Sequence, residues 1–292
     1  MNKYLVSIIV PCYNRQEKIE ATILSLLNQS NKNFEIIIVD DGSTDQTLLC
    51  LLKFKKFNNI SIYKIKNSER GAARNFGASK AKGLYLNFFD SDDLAKDNHI
   101  ETASNKIQQF FRPEVFHLSY EHLVNEKKIN KFIKEGKLNS YIFKRNILSC
   151  NGVFIRSDIF FEEKFCENRD LSGSEDWDLW LRLANRFTFY GFSQITSVII
   201  DHKERSMNSQ NVNQIKKRIN LLLKRVSNKE TFNFSIINKL KIKSELYSYM
   251  SLHFLTHNKI FSTKFLFYSI ILFPINILSR RSINIIYKLI FK

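Results

Sequence analysis

The sequence predicts an α/β fold with a mainly parallel central sheet, followed by a basic helical region. Within the first 120 residues, β-branched and aromatic runs of strand length occupy residues 5–10, 36–39, 60–65 and 84–89. Between these runs, apolar residues recur at helical spacing, as at Ile19, Ile23, Leu26 and Leu27. Strands that alternate with helices are typical of βαβ units, which form parallel sheets and bind ligands at the carboxyl ends of the strands.

Further along the chain, helical spacing predicts a helix over residues 97–111, ended by Pro113. A second helix is predicted over residues 175–186, because four apolar residues share one face: Trp177, Trp180, Leu181 and Ala184. Short apolar runs then indicate strands near residues 187–192 and 197–200. After His202 the composition changes to Lys-rich helical segments, so we expect one domain over residues 1–205 and a second region over residues 206–292.

The composition predicts a packed core and excludes several classes of protein. The chain has 292 residues, of which 44% are hydrophobic and 25% are charged, with only three Pro and eight Gly, so it is neither low-complexity nor disordered. No two of the four Cys have C-x-x-C spacing, which argues against a zinc knuckle or a structural disulfide. The first residues lead into a short strand and not into a long apolar segment, which predicts a cytoplasmic protein.

The positive charge is concentrated in the C-terminal third. The whole chain carries a net charge of +17, but residues 203–292 hold 17 Lys and Arg against three Glu. Within them, the apolar run at residues 265–278 contains Pro274 and is too short to cross a bilayer, which takes about 20 apolar residues. Basic residues follow among apolar ones, namely Arg280, Arg281, Lys288 and Lys292. This pattern predicts helices lying on an anionic membrane surface; a lid over the first domain or a homodimer interface is the alternative.

Acidic residues end two of the predicted strands. Asp90, Asp92 and Asp93 follow the strand at residues 84–89, and three carboxylates so close repel one another unless a cation neutralises them. Oxygen ligands suit Mn²⁺ or Mg²⁺, although an Asp here can also cap the next helix. Asp41 follows Asp40 at the end of another strand, where it can accept an N–H from a base or a ribose hydroxyl, or simply form the turn.

The segment at residues 71–77 is rich in small residues and carries Arg74 near a predicted helix start. An Arg beside helix N-terminal amides is a natural partner of a diphosphate, although close helix packing explains the small residues equally well. The segment does not match the phosphate loop of NTPases, and no G-x-G-x-x-G follows the first strand. Both of those nucleotide-binding classes are therefore disfavoured.

Taken in order, five motifs resemble glycosyltransferase family 2, the inverting nucleotide-sugar transferases of the Rossmann-like A-type (GT-A) fold. The motifs are Val10-Pro11-Cys12-Tyr13-Asn14, Val39-Asp40-Asp41-Gly42-Ser43-Thr44-Asp45, Gly71-Ala72-Ala73-Arg74-Asn75, Phe89-Asp90-Ser91-Asp92-Asp93 and Glu175-Asp176-Trp177. The resemblance covers about residues 4–205. It implies that residues 1–110 bind the nucleotide-sugar and that residues 111–205 supply the acceptor side and the base.

The resemblance also implies roles for single residues on the donor side. Pro11, Tyr13 and Asn14 would border the nucleoside, and Asp41 would meet the uracil. Arg74 would lie near the diphosphate, together with Asp90 and Asp92 of the Asp-x-Asp motif. The ligands of Mn²⁺ or Mg²⁺ would be Asp92, Asp93 and His202.

For the acceptor side, the resemblance implies that Asp176 is the general base. Glu175, Trp177, Asn151 and Gly152 would border the acceptor, and Glu175 is the rival candidate for the base. A carboxylate at the start of a helix also has a simpler explanation, because it interacts favourably with the helix dipole.

The sequence therefore predicts a metal-dependent inverting hexosyltransferase. It would move a sugar from a UDP-sugar to a hydroxyl of a surface-polysaccharide or lipid-linked saccharide, at the inner face of the membrane. Two alternatives are a basic nucleic-acid-binding module, suggested by the charged tail, and a Mg²⁺-dependent nucleotidyltransferase. The tail lacks a nucleic-acid-binding motif and contains the apolar run, so we expect no nucleic-acid partner. Residues 11–15 contain no Gly, which disfavours a nucleotidyltransferase loop.

Overall fold

The computed structural model describes residues 3–202, 212–229 and 231–291. The predicted boundary between residues 205 and 206 and the basic residue Lys292 lie outside the described residues. The first part of the chain consists of β1 (Tyr4–Cys12), α1 (Ile19–Leu27), β2 (Phe34–Asp40), α2 (Thr47–Leu52), β3 (Ile60–Lys64), α3 (Arg70–Ser79) and β4 (Gly83–Phe88). This order confirms the predicted alternation of strands and helices.

Strands β1 to β4 pair in parallel, in the spatial order β3-β2-β1-β4. The apolar runs of β1 and β2 are buried on both faces, as expected for strands covered by helices, whereas the edge strand β3 is only partly buried. Cys12 pairs with Asp40 at the ends of β1 and β2, and Ile9 pairs with Phe88 near the end of β4. The register therefore brings the motifs that follow these three strands to one edge of the sheet.

The next part of the chain extends this sheet. It consists of β5 (Leu94–Ala95), α4 (His99–Gln109), β6 (Val115–Val124), β7 (Lys127–Lys131), β8 (Gly136–Lys137), α5 (Asn139–Ile142), β9 (Val153–Arg156), α6 (Ser157–Glu162), α7 (Glu175–Arg186) and β10 (Phe189–Ile200). The order across the sheet continues β4-β9-β6-β10-β5. Because β9 runs antiparallel to both β4 and β6, the sheet is parallel in its first four strands and mixed beyond them.

The two predicted strands after α7 form one strand, β10. It stays paired with β6 through two register shifts between Phe192 and Ser197, so the irregularity that looked like a break in the sequence is a bulge. The predicted helices at residues 97–111 and 175–186 are α4 and α7. Helix α4 ends two residues early because Phe111 and Arg112 adopt left-handed backbone angles.

Within its described residues, the C-terminal region contains four α-helices: α8 (Val212–Ser227), α9 (Ile236–Phe254), α10 (Lys259–Leu272) and α11 (Arg280–Phe291). Helices α8 and α9 bury Ile219, Leu222 and Leu246 in the same apolar cluster as Trp180 of α7. Asp178 of α7 is fully buried and binds Arg225 of α8 with a 2.6 Å hydrogen bond. These two helices are therefore packed firmly on the α/β part of the chain.

Helices α9 and α10 meet through serines. Ser244 donates to the carbonyl of Ser269 at 2.7 Å, and Ser251 donates to the carbonyl of Ser262 at 2.8 Å. All four serines are buried. The outward face of α10, the following turn and α11 is instead apolar and exposed, through Phe267, Ile271, Ile275, Leu278, Ile283 and Ile290. No helix within the described residues is long and apolar enough to cross a membrane.

Candidate functional site

A cavity of about 920 Å³ opens at the carboxyl ends of β1, β2 and β4. This volume is at the upper end of the range for small-molecule sites, which is about 300–1,000 Å³. The structure brings nine of the sequence-identified residues to its walls, namely Pro11, Tyr13, Asp41, Arg74, Asp90, Asp92, Glu175, Asp176 and Trp177. The cavity is therefore the place where the motifs of the sheet edge meet the start of α7.

At one end of the cavity, Asp41 fixes the loop that leads into α3. One of its carboxylate oxygens accepts the N–H of Ser68 at 2.7 Å and the other accepts the N–H of Glu69 at 3.0 Å. Burial raises the pKa of Asp41, although these two hydrogen bonds favour its charged form. The carboxylate holds Glu69 in a left-handed backbone conformation, with φ of 77°. Such a conformation persists only where its surroundings impose it.

Asn14 does not line the cavity, unlike its neighbours Pro11 and Tyr13. Its side-chain oxygen accepts the backbone N–H of Thr44 at 2.9 Å, and its own N–H donates to Ser43 at 3.0 Å. Asn14 therefore joins the turns that follow β1 and β2, and its contact with a nucleoside stays a prediction.

The three carboxylates after β4 point in different directions. Asp90 binds Arg74 at 2.9 Å, and Asp92 lies 2.9 Å from the Nε2 of His202 and 3.5 Å from the Nε of Arg15. Asp93 is fully buried and accepts hydrogen bonds from the side chain of Asn151 and the N–H of Ile200. The expected repulsion is thus relieved by separate protein partners. Asp93 is a structural residue and does not join Asp92 and His202.

Asp92 and His202 form a pair that fits a divalent cation. A carboxylate oxygen and an imidazole nitrogen are both donors that Mn²⁺ accepts, and two protein ligands leave room for phosphate oxygens and water. The described residues contain no group of three or more His, Cys, Asp or Glu side chains placed to hold a metal. A cation here would therefore take most of its ligands from substrate and solvent.

Arg74 occupies the interior of α3 and not its start. Its side chain is only 2% exposed, and it bridges Glu175 at 2.8 Å and Asp90 at 2.9 Å. Arg74 therefore forms an internal ion-pair bridge between the Asp-x-Asp turn and α7, and its contact with a diphosphate stays a prediction. Arg70, the first residue of α3, has a side chain that is 33% exposed, lines the cavity and lies 3.6 Å from Glu175. Arg70 is therefore the more exposed of the two guanidinium groups that α3 brings to the cavity.

Glu175 and Asp176 are adjacent but titrate differently. Burial alone would raise the pKa of Glu175, but the guanidinium groups of Arg70 and Arg74 outweigh it and lower that pKa. Burial and the charge of Glu175 raise the pKa of Asp176 to about 6. Two neighbouring carboxylates whose pKa values are pushed apart are typical of an acid–base site. Glu175 stays ionised, so Asp176 is the group that can exchange a proton near neutral pH.

The side chain of Asp176 is held in place from both sides. One oxygen accepts the N–H of Trp177 at 2.7 Å, and the other accepts the side-chain amide of Asn146 at 3.0 Å. Trp177 is anchored in turn, because its indole N–H donates to the carbonyl of Ile142 at 3.0 Å. The loop that carries Asn146 therefore fixes the orientation of the Asp176 carboxylate.

Asn151 and Gly152 are buried and do not line the cavity. The side-chain oxygen of Asn151 accepts the N–H of Asp90 at 2.8 Å, and its amide donates to Asp93 at 2.8 Å. A Cβ on Gly152 would lie 2.4 Å from the carbonyl oxygen of Leu118, so no larger residue fits there. Asn151 therefore supports the Asp-x-Asp turn, and the predicted role of Asn151 and Gly152 on the acceptor side stays a prediction.

Sequence reasoning missed two groups of residues that line the cavity. Arg15, Arg70 and Arg169 stand within or beside the motifs, and only their orientation shows that they face the cavity. The helical region closes the cavity with four residues, namely Glu245, Leu246 and Tyr249 of α9 and Arg281 of α11. No local signal identifies this second group, because their position depends on how the C-terminal helices pack on α7.

Comparisons with known proteins agree with this fold. Residues 7–158 match the family described as Glycosyl transferase family 2. A glycosyltransferase of Rickettsia bellii is 35% identical over 203 residues, which is 66% of this chain and 28% of that protein. TuaG of Bacillus subtilis, named for teichuronic acid biosynthesis, is 32% identical over 199 residues, which is 66% of this chain and 77% of TuaG. The chain spans about a third of the length of the Rickettsia relatives.

Among solved structures, residues 1–349 of Staphylococcus aureus TarS in complex with UDP-GlcNAc superpose with a TM-score of 0.68 at 20% identity. The match covers 96% of this chain and 83% of that one, so it includes the C-terminal helices and establishes the GT-A fold. With a family match over residues 7–158 and the same motifs lining one cavity, the chain belongs to glycosyltransferase family 2.

Proposed function

We propose that this glycosyltransferase moves a sugar from a UDP-sugar to a hydroxyl group of a surface-polysaccharide or lipid-linked saccharide, with inversion and with the help of Mn²⁺ or Mg²⁺. The observation that carries the proposal is Asp176, whose pKa is raised to about 6 in the cavity that Asp92 also lines. The donor class is supported by TarS, whose structure contains UDP-GlcNAc. The acceptor class is supported by TuaG, which is named for the synthesis of a cell-surface polymer.

In this mechanism Asp176 accepts the proton of the acceptor hydroxyl. The hydroxyl oxygen forms a bond to the anomeric carbon, the bond from that carbon to the phosphate oxygen breaks, and UDP leaves with the electron pair. A single displacement of this kind inverts the anomeric centre. Arg70 would bind the diphosphate from α3, and Arg15 would do so beside Asp92. Asp92 and His202 would hold the cation, which would neutralise the charge of the leaving diphosphate.

The donor is tested by screening UDP-, GDP- and dTDP-sugars for hydrolysis in the presence of Mn²⁺. We expect one or more UDP-sugars to release UDP slowly without an acceptor, because water can replace the hydroxyl. EDTA should stop the release. Turnover of GDP- or dTDP-sugars alone would overturn the choice of uridine, and turnover that persists in EDTA would overturn the metal dependence.

The metal site predicts a sharp contrast between two neighbouring residues. Asp92→Asn should lower the affinity for UDP with Mn²⁺ and nearly abolish turnover, because it removes the negative charge beside His202 while keeping the shape of the side chain. Isothermal titration with UDP and Mn²⁺ measures the affinity, and thermal unfolding measures the fold.

Asp93→Asn is the matched control. It weakens the buried hydrogen bonds to Asn151 and Ile200, so it should lower the melting temperature. An Asp92→Asn variant with wild-type affinity for UDP and Mn²⁺ would contradict the assignment of the metal site.

We further propose that the helical region binds the inner face of an anionic membrane. The α9–α10 seam is formed by buried, hydrogen-bonded serines, whereas the outward face of α10 and α11 is apolar. Small polar residues between helices and apolar residues outside are typical of helices that contact lipid. Exposed or partly exposed basic residues accompany this face, namely Lys259, Lys264, Arg280 and Lys288.

Membrane binding is tested by cosedimentation with vesicles of graded phosphatidylglycerol content. Replacing the four basic residues of this face by Gln should weaken binding at low salt, because each basic residue near anionic lipid contributes about 1 kcal/mol. Replacing Phe267, Ile271 and Leu278 by Ser should instead remove the salt-insensitive part of binding.

Both sets of residues lie outside the cavity, so hydrolysis of the UDP-sugar in solution should continue in both variants. If the wild-type chain stays in the supernatant at every lipid composition, the membrane proposal fails. A doubled mass in light scattering would then assign the apolar face to a homodimer.

A further inference from the structure

The C-terminal helices form one wall of the active-site cavity, opposite the sheet edge. Glu245 and Tyr249 of α9 and Arg281 of α11 line the cavity together with Arg145 and Trp177. We infer that this wall, hereafter the acceptor wall, binds a saccharide unit of the acceptor beside the hydroxyl that receives the sugar. The inference rests on the proposed function and adds to it the residues that recognise the acceptor.

The acceptor wall begins next to the proposed base. Asn146 binds Asp176 at 3.0 Å, and the preceding residue, Arg145, lies close enough to Glu245 to affect its ionisation. Burial raises the pKa of Glu245, and the guanidinium groups of Arg281 and Arg145 oppose that rise. A molecule bound along Arg145 and Glu245 would therefore end at the Asp176 carboxylate.

Glu245 and Arg281 form a well-defined pair of polar groups. Arg281 Nη1 donates to Glu245 Oε1 at 2.6 Å, with the Glu245 side chain 12% exposed and the Arg281 side chain 25% exposed. An ion pair this far removed from water contributes little to stability, because the loss of hydration offsets the attraction. Both residues of this pair line the cavity, so its position is better explained by ligand binding.

Tyr249 supplies an aromatic surface beside this pair. The Arg281 guanidinium lies 5.5 Å from the centre of its ring, and the ring of His253 packs against it at 4.4 Å. Arg218, which is 2% exposed, donates to the Tyr249 hydroxyl at 3.3 Å and to the carbonyl of Ser172 at 3.3 Å. The ring is therefore fixed in place before any ligand binds, and it is tied to the loop that precedes α7.

This combination of groups suits a sugar ring. A pyranose presents hydroxyls, which form strong hydrogen bonds with a carboxylate and a guanidinium, and a C–H face, which packs against an aromatic ring. Leu246 and Trp177 add apolar surface, so the wall has the mixture of apolar lining and few oriented polar groups that is typical of ligand sites. The carboxylate of Glu245 disfavours a second diphosphate on this wall.

Neighbouring arginines give a matched test of the acceptor wall. Arg281 faces the cavity, whereas Arg280 is exposed on the other side of α11. The probes are the methyl α- and β-glycosides of glucose, galactose, N-acetylglucosamine and glucuronic acid, added to the full chain saturated with UDP and Mn²⁺. Saturation-transfer NMR should detect at least one of them, and Arg281→Gln and Tyr249→Ala should weaken its binding at least tenfold.

Arg280→Gln and Tyr287→Ala, an exposed tyrosine of α11, should leave glycoside binding unchanged. Should Tyr249→Ala fold poorly, Tyr249→Phe is the second variant, and it should retain binding because it keeps the ring. The inference is overturned if no glycoside binds to the wild-type chain, or if Arg280→Gln weakens binding as much as Arg281→Gln. Glycoside binding needs no turnover, so failure of the UDP-sugar screen would contradict the proposed function and leave this result standing.

Discussion

Asp176→Asn is expected to lower the turnover number about 100- to 10,000-fold, which is the usual contribution of a positioned general base. Asn is nearly isosteric with Asp, and its side-chain oxygen can still accept the N–H of Trp177. Nucleotide binding should therefore be retained. The measurement is UDP release from the UDP-sugar found in the donor screen, together with titration of UDP and Mn²⁺ into the variant.

The pKa of Asp176 provides a second test of its role as the base, the pH dependence of turnover. Because that pKa is raised to about 6, the wild-type turnover number should fall about tenfold per pH unit below pH 6 and level off above it. The raised pKa also means that the charged form destabilises the fold as the pH rises through about 6. At pH 8 the Asn variant should thus be at least as stable as the wild type.

The outcome that contradicts this role is a proportional loss of UDP affinity and turnover, which would assign Asp176 to the nucleotide site. Glu175→Gln is the comparison variant. It should shift the acidic limb of the pH profile to lower pH, because removing the charge of Glu175 lowers the pKa of Asp176.

Much of the fold can be predicted from the sequence because its signals are local. The apolar runs that become β1 to β4 are bounded by helical segments, and parallel pairing then places their carboxyl ends at one edge. The motifs that follow β1, β2 and β4 therefore lie close together at this edge of the sheet. The antiparallel β9 has no such signal, because it joins the sheet through contacts with strands distant in sequence.

The directions of side chains within a motif could not be predicted in the same way. Asp90, Asp92 and Asp93 are nearly adjacent, yet their partners lie 16, 110 and 58 residues away in the chain. Arg280 and Arg281 look equivalent in the sequence. The orientation of α11 exposes Arg280 and directs Arg281 to Glu245. Such choices depend on tertiary packing, which spacing along the chain does not encode.

Arg74→Met is expected to destabilise the fold by about 3–5 kcal/mol, the usual cost of removing one partner from a buried ion pair. Arg74 is almost completely buried and is bound to Asp90 and Glu175. The variant would leave Glu175, which is 3% exposed, with the N–H of Gly173 at 2.6 Å and with Arg70 at the longer distance of 3.6 Å. Met keeps the apolar part of the side chain but removes the guanidinium, which lies 5.2 Å from the centre of the Phe165 ring, so the loss reports the charge together with this contact. Urea unfolding followed by circular dichroism measures the change in the free energy of unfolding.

Two further variants isolate the cause of this loss. Arg74→Met combined with Glu175→Gln should recover much of the stability, because no uncompensated charge then stays buried beside α7. Arg186→Met removes an exposed partner of Glu162 and should cost less than about 1 kcal/mol. If Arg74→Met lowers the free energy of unfolding as little as Arg186→Met does but weakens the binding of UDP, the Arg74 guanidinium contacts the diphosphate. That is the contact predicted from the sequence. A large loss of stability that the second substitution reverses would instead establish Arg74 as the link that holds the Asp-x-Asp turn against the helix of the base.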